Sequence, residues 1–212
     1  MLDISIYSDE KFNWKQMEQI REGLEEGLNV SIYADPKFNY IQMAEIRKGL
    51  EQGLSIEQVR IYADPKFNYM QMQEIRSGLE NGVDVNLYAD PKFYWKQMED
   101  IRLGLQDGLD VNLYANEKFH AWQMKEIKEG LEKGLDVSLY ADPKFNYEQM
   151  YQIRRGLQQG LDVSLYADPK FNSEQMEEIR LGLKNGLSIK QVSLYAGIVR
   201  DQNHESSYDI GR

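Results

Sequence analysis

The chain contains no cysteine. That excludes a disulfide framework and any thiolate metal site, and it removes the main reason to place the protein in an oxidising compartment. Histidine occurs only twice, at His120 and His204, in unrelated contexts. No G-x-S-x-G, H-E-x-x-H or P-loop pattern is present. The carboxylates do not follow the roughly 12-residue spacing of a calcium loop. Apolar runs are short, and none approaches the roughly 18 residues that span a bilayer. The opening MLDISIYSDE has neither a basic n-region nor an apolar h-region, so no secretory signal is read there. Positive charge is in deficit: 25 Lys and Arg stand against 35 Asp and Glu, for a net charge of −10. That balance argues against binding DNA or RNA through their phosphates. These absences together lead us to expect a cytoplasmic, non-enzymatic protein with no cofactor, no required metal and no membrane association.

What the sequence does have is a period. Tyr7, Tyr33, Tyr62, Tyr88, Tyr114, Tyr140, Tyr166 and Tyr195 follow one another at spacings of 26, 29, 26, 26, 26, 26 and 29 residues. Met17, Met43, Met72, Met98, Met124, Met150 and Met176 keep the same clock, as do the isoleucines three residues later, from Ile20 to Ile179. A fixed period in this range signals a solenoid. The repeats fall near 2–27, 28–53, 54–82, 83–108, 109–134, 135–160 and 161–186, with a half-repeat at 187–196. The last stretch, 197–212, leaves the pattern and reads as a terminal cap or a loose tail, with Ile198 and Val199 favouring docking.

Each repeat reads as two helical elements. In FNYEQMYQIRRGLQQGL, residues 145–161, Asn146 is an N-cap and Gln149 completes a capping box. Met150, Ile153 and Leu157 then lie on one helical face, and Gly160 occupies a C-terminal stop. Asn13, Asn39, Asn68 and Asn172 repeat the start, and His120 takes the same slot in the fifth repeat. The other element is shorter, as in LDVSLYAD. In the two longer repeats it becomes LSIEQVRIYAD and LSIKQVSLYAG, with Ile56, Val59 and Tyr62 three apart. Three added residues are close to one helical turn and preserve an apolar face, whereas in a strand they would invert it. A short helix is therefore expected, ended by Pro36, Pro65, Pro91, Pro143 or Pro169. Such helix pairs cannot bury their apolar faces alone, so neighbours must stack. The expected fold is an all-α solenoid of about seven stacked repeats plus a C-terminal half-repeat. Within YADPKFNY, Tyr33 and Phe38 are expected in the core, with a partner needed for the tyrosine hydroxyl.

Three polar rows accompany this frame. One is Lys11, Lys37, Lys66, Lys92, Lys118, Lys144 and Lys170. A second is Arg21, Arg47, Arg76, Arg102, Arg154 and Arg180, with Lys128 in the fifth repeat. The third is Asp9, Asp35, Asp64, Asp90, Asp142 and Asp168, with Asn116 in the fifth. The Arg and Asp rows change together in that repeat, which suggests a structural ladder of Arg–Asp pairs with the lysines solvated.

The first helical position varies more. It carries Trp14, Tyr40, Tyr69, Trp95, Ala121, Tyr147 and Ser173, and lies by helical phase at the border with solvent. Tyr151 lies four residues beyond Tyr147, and Trp122 is displaced by one position. Trp and Tyr are frequent interface anchors. Trp14, Tyr40, Tyr69, Trp95, Trp122, Tyr147 and Tyr151 are thus candidates for a partner-binding ridge, the competing reading being that they pad the joints between repeats.

The stretches GLSIEQVRIYADPKF (53–67) and QMQEIRSGLENG (71–82) resemble a group of tandem-repeat proteins from Gram-positive gut bacteria and their phages and mobile elements. The resemblance covers nearly the whole chain and transfers no site residue. It implies a phage or transposon product, a setting in which small acidic proteins often inhibit host defence. The expected function is a protein-binding scaffold, with two alternatives: an acidic DNA mimic that occupies a nucleic-acid-binding protein, or a sponge for a small nucleotide signal.

Overall fold

The computed structural model describes residues 11–195; Tyr7, Asp9, His204 and the expected tail 197–212 lie outside the described residues. Among the described residues there are nine α-helices and no strand. They are α1 (Trp14–Glu25), α2 (Tyr40–Glu51), α3 (Ile56–Tyr62), α4 (Tyr69–Glu80), α5 (Trp95–Gln106), α6 (Ala121–Glu132), α7 (Tyr147–Gln158), α8 (Ser173–Lys184) and α9 (Ile189–Tyr195). None is long and apolar enough to cross a membrane. The chain divides into two compact bodies, Met1–Met124 and Lys125–Arg212. In the first, α2 packs on α1, α4 on α2 and α5 on α4; in the second, α8 packs on α7. Sequential like helices stacked side by side make an α-solenoid.

The long helices begin as their sequence dictates. Asn13, Asn39, Asn68, Asn146 and Asn172 form full capping boxes with the glutamine three residues on. His120 substitutes through its ring, with the Trp122 N–H donating to Nδ1 at 3.4 Å. The stop is a glycine at positive φ, for example Gly82 at 69° and Gly160 at 69°, a conformation that costs a side-chain-bearing residue about 1–2 kcal/mol.

The short element differs from the expected helix in the 26-residue repeats. There it is a single 3₁₀ turn: Val30–Ile32, Val85–Leu87, Val111–Leu113, Val137–Leu139 and Val163–Leu165. Among the described residues, only the two longer repeats carry an α-helix there, α3 and α9. The reason is where the extra residues fall. Asp84 caps its turn by accepting from the Asn86 N–H, leaving three residues before Tyr88. In the longer repeat Ser55 caps the segment and the insertion adds one turn ahead of Val59. Either way a buried valine and a buried tyrosine stand three apart, Val85 with Tyr88 or Val59 with Tyr62. Both geometries place residues i and i+3 on one side, so the joint is unchanged.

The second to seventh repeats each bury one set of anchors. In the fourth these are Val85, Tyr88, Phe93, Met98 and Ile101, and side chains of this kind contribute roughly 1.5–3 kcal/mol each on burial. The expected partner of the tyrosine hydroxyl is a helix carbonyl: Tyr33 donates to the Gln19 carbonyl at 3.0 Å and Tyr88 to the Glu74 carbonyl at 3.1 Å. Burial raises the pKa of these phenols, so they remain neutral donors.

Candidate functional site

The surface rows rest on two joints, and both reach from one repeat to the next. The first uses the glutamine of the capping box. Gln71 accepts the Asn68 N–H on Oε1 at 2.8 Å, and its Nε2 donates to the carbonyl of Phe93, one repeat on, at 2.7 Å. Gln16, Gln42, Gln97 and Gln149 do the same toward Phe38, Phe67, Phe119 and Phe171. Sequence patterning identifies the cap and misses the second bond, because nothing local marks a donor that points out of its own repeat.

The second joint uses the arginine row, and its partners are not the aspartates. Arg76 lies 3.1 Å from Glu45, Arg102 2.9 Å from Glu74 and Arg154 2.8 Å from Glu126, each reaching back one repeat. Arg47 and Arg180 reach the amide oxygens of Gln19 and Gln152 at 3.2 and 2.9 Å. Arg21, in the first repeat, pairs with Glu25 within its own helix. The expected Arg–Asp ladder is thus replaced by a row two positions before the arginine slot that is Glu or Gln except for Asp100 in the fourth repeat, a row that sequence reasoning passed over. The aspartates serve the corner instead. Asp35, Asp64, Asp90, Asp142 and Asp168 each accept the N–H of the lysine two residues on, at 2.9–3.0 Å. The exposed ammonium groups of Lys66, Lys92 and Lys144 lie only loosely against them, at 3.7–3.8 Å.

Burial raises the pKa of Glu74 and Glu126 above the usual 4.5, with the facing arginine only partly offsetting it. The folded state therefore holds these protons more tightly than the unfolded chain does. Their effect on stability is favourable below the folded pKa and is lost as pH rises through it. The melting temperature is expected to rise as pH falls from neutral through the raised pKa of these carboxyls toward the unfolded glutamate value of about 4.3. Glu74→Gln, which keeps an acceptor for Arg102, should flatten that slope when melting curves are recorded across the interval. A wild-type slope in this variant would place its source elsewhere.

On this frame stands the ridge. Trp14, Tyr40, Trp122, Tyr147 and Tyr151 are exposed, Trp14 at 66 % and Trp122 at 56 %. Tyr69 and Trp95 are half-buried; Trp95 has the Tyr94 ring 5.6 Å away and the Lys96 ammonium over its face at 4.3 Å. In the first body the Lys15 ammonium bridges the first two repeats of the row, lying over both Trp14 (5.4 Å) and Tyr40 (4.5 Å). In the second body Tyr147 and Tyr151 line a groove of about 340 Å³ with Ser173, Glu148, Glu174 and Glu177. The guanidinium carbons of Arg154 and Arg155 lie 5.5 and 5.9 Å from the Tyr151 ring centre. Among the described residues, no cluster of three or more His, Asp or Glu side chains could hold a metal ion. The chemistry on offer is apolar stacking, cation–π contact and carboxylate pairing.

In comparison with known proteins, no family model matches the chain, and neither does any curated protein or solved structure.

Proposed function

We propose that this chain is a non-enzymatic repeat scaffold that binds a protein partner through its aromatic ridge. The observation that carries this reading is the exposure of Trp14 and Trp122. Their rings do not fill the joints, which the buried Tyr, Phe, Met and Ile rows already complete. Aromatic anchors of this kind are the residues whose truncation most often costs a complex about 2 kcal/mol or more. The resemblance to mobile-element repeat proteins extends the proposal to a host defence protein as the partner.

The two alternatives have less support. A nucleotide sponge needs free guanidinium groups, and Arg47, Arg76, Arg102, Arg154 and Arg180 are held by Glu or Gln. A DNA mimic needs an uninterrupted negative surface, and the exposed lysines of each corner break it.

The test is affinity purification from the native host, with the captured protein identified by mass spectrometry and its affinity measured. Trp14→Ala with Trp122→Ala should weaken binding by about thirty-fold or more, the equivalent of 2 kcal/mol. The melting temperature should move by no more than about a degree, as for other surface substitutions. Unchanged affinity would refute the ridge, and a small nucleotide eluting as the bound species would favour the sponge.

A further inference from the structure

We propose that the groove on the second body receives the guanidinium of an arginine carried on a basic, extended segment of the partner protein. This rests on the reading of the ridge as a protein-binding face and names the chemistry that one part of it selects. The groove's volume of about 340 Å³ equals on the order of ten waters at roughly 30 Å³ each, enough for one long side chain. Its walls are the exposed rings of Tyr147 and Tyr151. Carboxylates stand around them. Glu177 has the Arg180 guanidinium 3.5 Å away. Glu148 accepts the Tyr147 hydroxyl at 3.1 Å and Glu174 the Ser173 hydroxyl at 3.5 Å. Among the described residues, neither Glu148 nor Glu174 is paired with a cation. Two carboxylates unanswered by positive charge thus flank two aromatic rings.

That combination is complementary to a guanidinium more than to other cations. A planar guanidinium stacks on an aromatic face and donates in a fork to carboxylates, whereas an ammonium is a compact and strongly hydrated point charge. The same ring row already accepts cations from within the chain. Arg154 and Arg155 approach Tyr151, and Lys15 lies over Tyr40 in the first body. The net charge of −10 would draw a basic segment toward this surface.

The experiment uses the intact chain and two synthetic peptides at low salt. One is a heptapeptide of alternating glycine and arginine. In the other each arginine is citrulline, a neutral urea of nearly the same shape. Titration calorimetry should give at least a tenfold tighter Kd for the arginine peptide. Amide shifts in NMR should centre on Tyr147, Tyr151 and Ser173. Glu148→Gln with Glu174→Gln should weaken the arginine peptide about tenfold at an unchanged melting temperature. The charge-matched Glu57→Gln with Glu117→Gln should leave affinity as it was. Equal binding of the two peptides overturns the proposal. So does an equal loss in the two double variants, since that would mean diffuse charge attraction. If the arginine peptide fails while the native partner still depends on Trp14 and Trp122, the groove assignment falls and the ridge stands.

Discussion

Gly78→Ala is expected to lower the melting temperature sharply, although alanine favours a helix interior over glycine by about 1 kcal/mol. Gly78 lies inside α4 and is buried. A methyl placed there would overlap the Tyr88 hydroxyl, with the ring carbon Cζ at 3.2 Å and the Val85 Cγ1 at 2.8 Å. Tyr88 is fully buried and fixed by its bond to the Glu74 carbonyl, so it cannot swing away into solvent. Overpacking of this kind costs typically 1–3 kcal/mol, and a displaced buried donor about 1–3 more. Set against the helical gain of about 1 kcal/mol, a net loss of about 1–5 kcal/mol follows. Calorimetric or circular-dichroism melting of Gly78→Ala would measure it. Tyr88→Phe in the same background removes the colliding oxygen and should recover part of the loss, the Val85 contact remaining. A Gly78→Ala protein as stable as the parent would mean that the tyrosine has room the packing does not show. Gly82 provides the contrast. Nothing lies within 4 Å of its would-be Cβ, and only its φ of 69° resists substitution, so Gly82→Ala should cost about 1–2 kcal/mol.

The second large effect is expected at the arginine joint. Arg76 and Glu45 are both buried; the guanidinium also reaches Gln52 at 3.0 Å and pairs with Glu80. Glu45→Leu removes the acceptor of Nε and Nη2 and leaves the guanidinium held through Nη1 alone by Gln52 and Glu80, a loss of about 1–3 kcal/mol for buried donors left unsatisfied. Adding Arg76→Met should return most of it, since apolar replacement of the whole pair is often neutral or better. Glu45→Gln should cost far less. The chain already uses glutamine at this position in the first and sixth repeats, where Gln19 and Gln152 accept from Arg47 and Arg180. Melting curves of the three variants decide between the readings. If Glu45→Gln proves as damaging as Glu45→Leu, charge rather than hydrogen bonding holds the joint.

The period, the caps and the apolar rows were legible because each is a short-range pattern with one physical meaning. The Asn-x-x-Gln box marks a helix start, and a glycine after the last turn marks its stop. Pairings between repeats were not legible. The joint change to Lys128 and Asn116 in the fifth repeat suggested that Arg and Asp are partners. In the structure Asn116 continues the corner task, accepting the Lys118 N–H at 3.0 Å, while Lys128 lies 3.3 Å from Glu132 in its own helix. Two independent substitutions had looked like one. The glycine at Gly78 was equally opaque, because a helix-interior glycine is explained only by what another segment pushes against it. Of the ridge, helical phase placed the first helical position at the solvent border, yet Trp14 is open and Trp95 half-covered. Tyr94 takes the place of the usual cap asparagine there and lays its ring 5.6 Å from that of Trp95.

The glutamine that holds two repeats together is a single flat amide. Its oxygen and nitrogen are bonded to one carbon and cannot move apart. The helix start it caps and the corner it grips, as Asn68 and Phe93 are joined through Gln71, are therefore set at a distance fixed by covalent geometry. The other edge of the joint is made of long, rotatable arginine and glutamate side chains. A stack built this way is a ruler along one side and a spring along the other. Where either body flexes, it should open like the pages of a book, with the glutamine edge as the binding.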